Sequence, residues 1–97
     1  MNEVLVQEMR DELRAMYSLV VDEISVEDAR ATVWFFDGDG YRPGSFMLGL
    51  VTAISLADMP NRFRLALGFP GLVAAVALAK DMTYGMTWLR ERADVSR

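Results

Sequence analysis

The sequence predicts an all-α fold, a small bundle of five or six helices with a buried central helix. Three observations carry this expectation. Apolar residues recur at Leu5, Met9, Leu13, Met16, Val20 and Ile24, steps of 4, 4, 3, 4 and 4 that trace one face of a helix. Two stretches of 15 residues, 43–57 and 65–79, carry no charge and read as helices of a core. Proline and glycine divide the remainder into pieces of helical length. With 97 residues the chain makes one domain. The expected organisation is a single helical domain over 1–97, with an acidic N-terminal helix 3–24, an apolar helical core 43–80 and a short C-terminal helix 86–93.

In the first helix Glu8, Asp11, Glu12, Ser18, Asp22 and Glu23 occupy the faces away from the apolar stripe. A competing reading breaks this helix near Tyr17 and makes 19–24 a strand, because Leu-Val-Val is apolar and β-branched. Ser25 with Asp28 three residues on resembles a capping box, opening a second helix over 26–36. Its end, Thr32-Val33-Trp34-Phe35-Phe36, has strong strand propensity, which leaves helix or strand open there. Asp37-Gly38-Asp39-Gly40 reads as a loop. Pro43 suits the first turn of a third helix, whose scarcity of polar residues makes it the expected central helix. Asp58 is the expected N-cap of a fourth helix, with Pro60 in its first turn, Phe63 and Leu67 facing inward, and Arg62 and Arg64 pointing away. Pro70 opens an alanine-rich fifth helix, and 86–93 forms the last.

Composition restricts function. The chain has no Cys and no His, which removes thiolate nucleophiles, thiolate metal sites and the commonest general base. Net charge is −4, which argues against phosphate-driven binding of nucleic acid. The charge is split. Residues 1–40 hold ten acidic residues against three arginines, a balance of −7, and residues 41–97 hold four against seven cations, a balance of +3. Such a split suits attraction within one domain, head-to-tail self-association or an acidic docking face. The acidic start is unlike a signal peptide. Both uncharged runs fall short of the roughly 17–25 residues that span a bilayer. The expected location is the cytoplasm.

No motif supplies catalysis, a cofactor or a metal. Asp37-Gly-Asp39-Gly-Tyr41 begins like a calcium loop but places Tyr41, Arg42 and Leu48 where ligands and the invariant glycine belong. There is no phosphate-cradling glycine pattern, and no S-x-x-K pairs a serine with Lys80, the single lysine. The carboxylates of the first helix form an i, i+3 and i, i+4 lattice with Arg10 and Arg14. The chain is therefore expected not to be an enzyme. The residues expected to contact a partner are Trp34, Asp37, Asp39, Tyr41 and Arg42, with Arg62 and Arg64 as a second group. Four consecutive bulky residues, 33–36, cannot all face one core, so at least one ring should lie near the surface as an anchor.

The segments Asp39-Gly-Tyr-Arg-Pro-Gly-Ser-Phe46, Ala57-Asp58 followed by Asn61-Arg62, and Leu67-Gly-Phe-Pro-Gly-Leu-Val-Ala-Ala-Val76 resemble small accessory proteins of actinobacteriophages, of the mycobacteriophage type in particular. The resemblance lies within residues 37–79 and carries no catalytic residue. It implies a non-enzymatic accessory factor that acts by protein–protein contact in the host cytoplasm, as a homo-oligomer or on a host protein. The alternative is a charge-split regulator of a nucleic-acid-binding process, by direct contact or by mimicry of DNA.

Overall fold

The computed structural model describes residues 1–19 and 21–96. Six α-helices follow in order: α1 (Glu3–Tyr17), α2 (Val26–Asp37), α3 (Ser45–Leu56), α4 (Met59–Gly68), α5 (Pro70–Asp81) and α6 (Gly85–Ala93), with a 3-10 turn at Val21–Glu23 between α1 and α2. Among the described residues there is no strand. The protein is all-helical, as expected.

Helix α5 is the buried centre. Every residue from Gly71 to Leu78 is buried, and the other five helices touch it. Alanine at 74, 75 and 77 keeps the helix thin, so neighbours close on all its sides. Two glycines set the closest approaches. A Cβ at Gly71 would strike the Asp28 carboxylate and the Glu23 carbonyl, and one at Gly85 would strike the Leu78 backbone. Leu13, Ile24, Val33, Ile54 and Leu89 complete the core around α5. The assembly is flat, 35 × 33 × 18 Å, about two helix diameters thick.

Local signals set most helix starts. The Ser25 hydroxyl accepts from Asp28 N at 2.9 Å, and Ser25 N donates to the Asp28 carboxylate at 3.1 Å, a complete capping box. Asp58 accepts from Asn61 N at 3.0 Å and caps α4, whose first turn holds Pro60. Capping and the burial of Ala29, Thr32 and Val33 carry α2 through Phe36 despite its strand propensity.

Three expectations need correction. The first helix stops at Tyr17, not at residue 24. Ser18 takes a left-handed conformation (φ 57°), its N–H returns to the Arg14 carbonyl, and the chain turns. Leu19, Val21 and Ile24 are still buried, but through the turn rather than through a continuing helix. The part of the expected helix at Val20 lies outside the described residues. Second, α3 is not the central helix. Only Val51 and Ile54 of it are buried, and Pro43 precedes its N-cap, Gly44, rather than entering its first turn. Third, α4 is turned the other way round. Arg62 is 7% exposed, whereas Phe63 and Leu67 are exposed. In both α3 and α4 apolar character does not translate into burial, because a domain of 97 residues has too little interior for every apolar residue.

Candidate interaction surface

The expected contact loop, 37–42, is fastened to the end of α6. Arg90 lies on α6 with its guanidinium almost fully buried. Its Nη1 donates to the Asp37 carboxylate at 2.6 Å, and its Nη2 donates to Asp39 at 2.5 Å and to the Ser96 carbonyl at 3.0 Å. Both aspartates that resembled a calcium loop thus grip one arginine fork. The Asp39 hydrogen bond is the main cause that holds Arg90 above the ordinary guanidinium range. Asp37 adds to it, while burial pulls the other way.

The following residues are tied down as well. Gly40 (φ 85°) lies over Val95 so closely that a Cβ would come within 2.6 Å of its methyl carbon. The Arg30 guanidinium carbon sits 3.8 Å from the centre of the Tyr41 ring, and Arg30 Nε donates to the Ala93 carbonyl at 3.1 Å. Trp34 is half-buried. Arg42 is exposed at the rim of a depression formed with Glu27, Tyr41 and Met47. The structure therefore brings Asp37, Asp39 and Tyr41 together through Arg90 and Arg30, two residues that sequence reasoning did not select.

Arg62 and Arg64 separate. Arg62 Nη1 donates to the Tyr17 hydroxyl at 2.8 Å and reaches the Asp81 carboxylate at 3.4 Å, which joins α4 to α1 and α5. Its Nε is buried with no acceptor. Tyr17→Phe should therefore cost about 1–2 kcal/mol, since it removes the closest acceptor of a buried cation. Urea denaturation measures this, and an unchanged midpoint would contradict it. Arg64 is exposed and donates to the Asn61 side chain at 2.9 Å.

The basic half of the chain is largely committed to its own backbone and carboxylates. Besides Arg62 and Arg90, Arg92 Nε donates to the Ile24 carbonyl at 3.1 Å and Lys80 Nζ to the Ser55 carbonyl at 2.7 Å. No group of three Asp or Glu among the described residues could hold a metal ion. No helix among them is long and apolar enough to cross a membrane.

What the sequence reading missed is an apolar surface on α3 and α4. Phe46 is 67% exposed, Leu56 81% and Leu67 89%. The two helices run back to back as a hairpin. Leu56 and Met59 mark its closed end, and the Phe46 and Phe69 rings, 6.1 Å apart, mark its open end. A shallow groove between them is lined by Ala53, Leu56, Ala57, Asn61, Arg64 and Leu65. Phe63 leans toward α1, its ring 5.9 Å from that of Tyr17. The available signal was the helical spacing of 46, 49, 53 and 56 inside an uncharged run, which reads as a buried face unless the domain is too thin to cover it.

Fold and surface together define a small helical domain whose α3–α4 hairpin leaves large apolar side chains uncovered. No family model, characterised protein or solved structure matches the chain.

Proposed function

We propose that this chain is a non-enzymatic protein–protein contact domain, an accessory factor of the actinobacteriophage type, and that it engages its partner through the outer face of the α3–α4 hairpin. The observation that carries the reading is the exposure of Phe46, Leu56 and Leu67 on one hairpin. Several large apolar side chains left uncovered on one hairpin of a small domain mark an interaction site. The loop 37–42 takes a supporting role, because its polar side chains already serve Arg90 and Arg30. Direct contact with DNA is the weaker reading. Net charge is −4, and Arg62, Arg90, Arg92 and Lys80 are engaged within the chain.

Photo-crosslinking tests this. Phe46→p-benzoylphenylalanine and Tyr41→p-benzoylphenylalanine chains are irradiated alone and in an actinobacterial extract. Position 46 is expected to give intermolecular adducts, and position 41 few or none. Absence of any intermolecular adduct at 46 in both settings would overturn the reading, and adducts confined to 41 would return the contact to the loop.

A further inference from the structure

Resting on that contact reading, we infer that the occupant of the hairpin face is a second copy of this chain, docked antiparallel across α3 about a twofold axis near Val51. The outward stripe of α3 is Phe46, Gly49, Ala53 and Leu56, spaced 3, 4 and 3. It reads large, small, small, large in either direction, and its midpoint is Val51, whose own side chain is buried. A twofold axis requires that kind of surface, since each residue i that meets j is matched by a j that meets i. Antiparallel pairing sets Phe46 of one copy against Leu56 of the other. The two small residues meet at the crossing, where the backbones can approach. The stripe spans about 15 Å along the helix.

Gly49 supplies an independent argument. It lies inside α3, where glycine weakens a helix relative to alanine. A Cβ there would meet nothing within 4 Å, so nothing in the chain's own packing calls for glycine. At Gly71 and Gly85 the chain itself supplies the obstruction, whereas at Gly49 a symmetry-related helix would.

Size and charge agree. The exposed parts of Phe46, Leu56, Met59, Leu67 and Phe69 amount to on the order of 600 Å² of apolar side chain. Covering all five in both copies, with α4 drawn into the interface beside α3, would bury on the order of 1,200 Å², the lower bound for a specific, stable interface. Residues 43–57 have no charge to repel their own image. A lipid surface is the less favoured occupant. Helices that lie on membranes flank their apolar face with several Lys and Arg, whereas α3 has neither and the groove beside it is lined by a single cation, Arg64.

Sedimentation equilibrium on the full chain tests the inference, with Gly49→Gln, Leu56→Glu and a control on α1, Val4→Glu. At about 100 µM the wild-type and control chains are expected at twice the 10.9 kDa chain mass. Gly49→Gln should weaken association at least tenfold while raising the Tm of the monomer, since it improves the helix and blocks the crossing. Leu56→Glu should be monomeric and folded, because that side chain is 81% exposed. A monomeric wild-type chain would overturn the second copy as occupant, and so would a dimer that both α3 substitutions leave intact. A monomeric chain that still photo-crosslinks other proteins from position 46 would sink this inference and leave the contact reading standing. Co-sedimentation with phosphatidylcholine vesicles, lost in Leu56→Glu, would replace both with a lipid surface.

Discussion

Gly85→Ala is expected to lower the stability of the domain by about 3 kcal/mol, at the upper end of the range for overpacking. A Cβ at this position would overlap the carbonyl oxygen, carbonyl carbon and Cα of Leu78. These are backbone atoms of the central helix and cannot rotate aside as a side chain would. The first turn of α6 would have to move away from α5, which loosens Leu89 and Ala93, both fully buried. Domains of this size hold on the order of 5–10 kcal/mol in total. The expected fall in Tm is therefore more than about 10 °C. Gly44→Ala provides the contrast, because a Cβ there meets nothing within 4 Å. Paired urea melts check the result. A loss below about 1 kcal/mol at position 85 would mean that α6 is not seated as closely on α5 as the geometry requires.

The second large effect is expected at Arg90. Arg90→Ala removes the fork that Asp37, Asp39 and the Ser96 carbonyl share. Two carboxylates would then face each other beside an empty position, and the loop 37–42 would lose its hold on the end of α6. Amide exchange at residues 38–42 and at Val95 should quicken by at least about tenfold, with α5 much less affected. Arg90→Lys should fall between the two. It keeps the charge, but one ammonium cannot serve two carboxylates and a carbonyl in a planar fork. The sign of the pH dependence follows from the raised pKa of Arg90. A cation held above its ordinary range contributes stability that is fully present below that range and is lost only as pH rises through the raised value. The difference between wild type and Arg90→Ala should therefore not decline from neutrality to a pH of about 10 on account of the guanidinium. Exchange rates in the loop that are unchanged by Arg90→Ala would show that other contacts hold it.

Much of this architecture is legible in the sequence where the governing interaction is local. Ser25 and Asp28 bond across three residues, as do Asp58 and Asn61, and both helix starts are readable from residue type alone. Pro70 and the alanines of α5 likewise announce a helix that others can approach closely. Orientation is different. Arg62 turns inward because Tyr17, 45 residues earlier, and Asp81, 19 residues later, offer it oxygen atoms. Nothing within α4 distinguishes that face from the one bearing Phe63 and Leu67. The first helix fails as a continuous period for a related reason. Ile24 is buried at the expected phase, but the chain reaches it through a left-handed Ser18.

The candidate surface was half legible. The bulk of 33–36 predicts at least one ring near the surface, and that ring is Phe36, 36% exposed and 5.0 Å from the ring of Phe35, whereas Trp34, the expected contact residue, is half-buried. The loop 37–42 looked free because Arg90 lies more than 50 residues further along the chain. The sequence of α3 suggests a buried face of Phe46, Leu50, Ala53 or Ile54, and Ala57, whereas Phe46 and Ala53 are exposed and Ile54 is buried, because a sequence does not state the thickness of the domain. At 18 Å the domain encloses α5 on all sides but only one face of α3.

The central claim is that the chain pairs with a second copy through α3 and α4 rather than through the loop after α2. Residue-resolved NMR across a dilution series, from about 1 mM to 10 µM, tests it most directly. Concentration-dependent shifts are expected at Phe46, Gly49, Ala53, Leu56 and Leu67, with Asp37, Asp39 and Tyr41 unmoved. Shifts centred on 37–42, or none anywhere in the series, would contradict it.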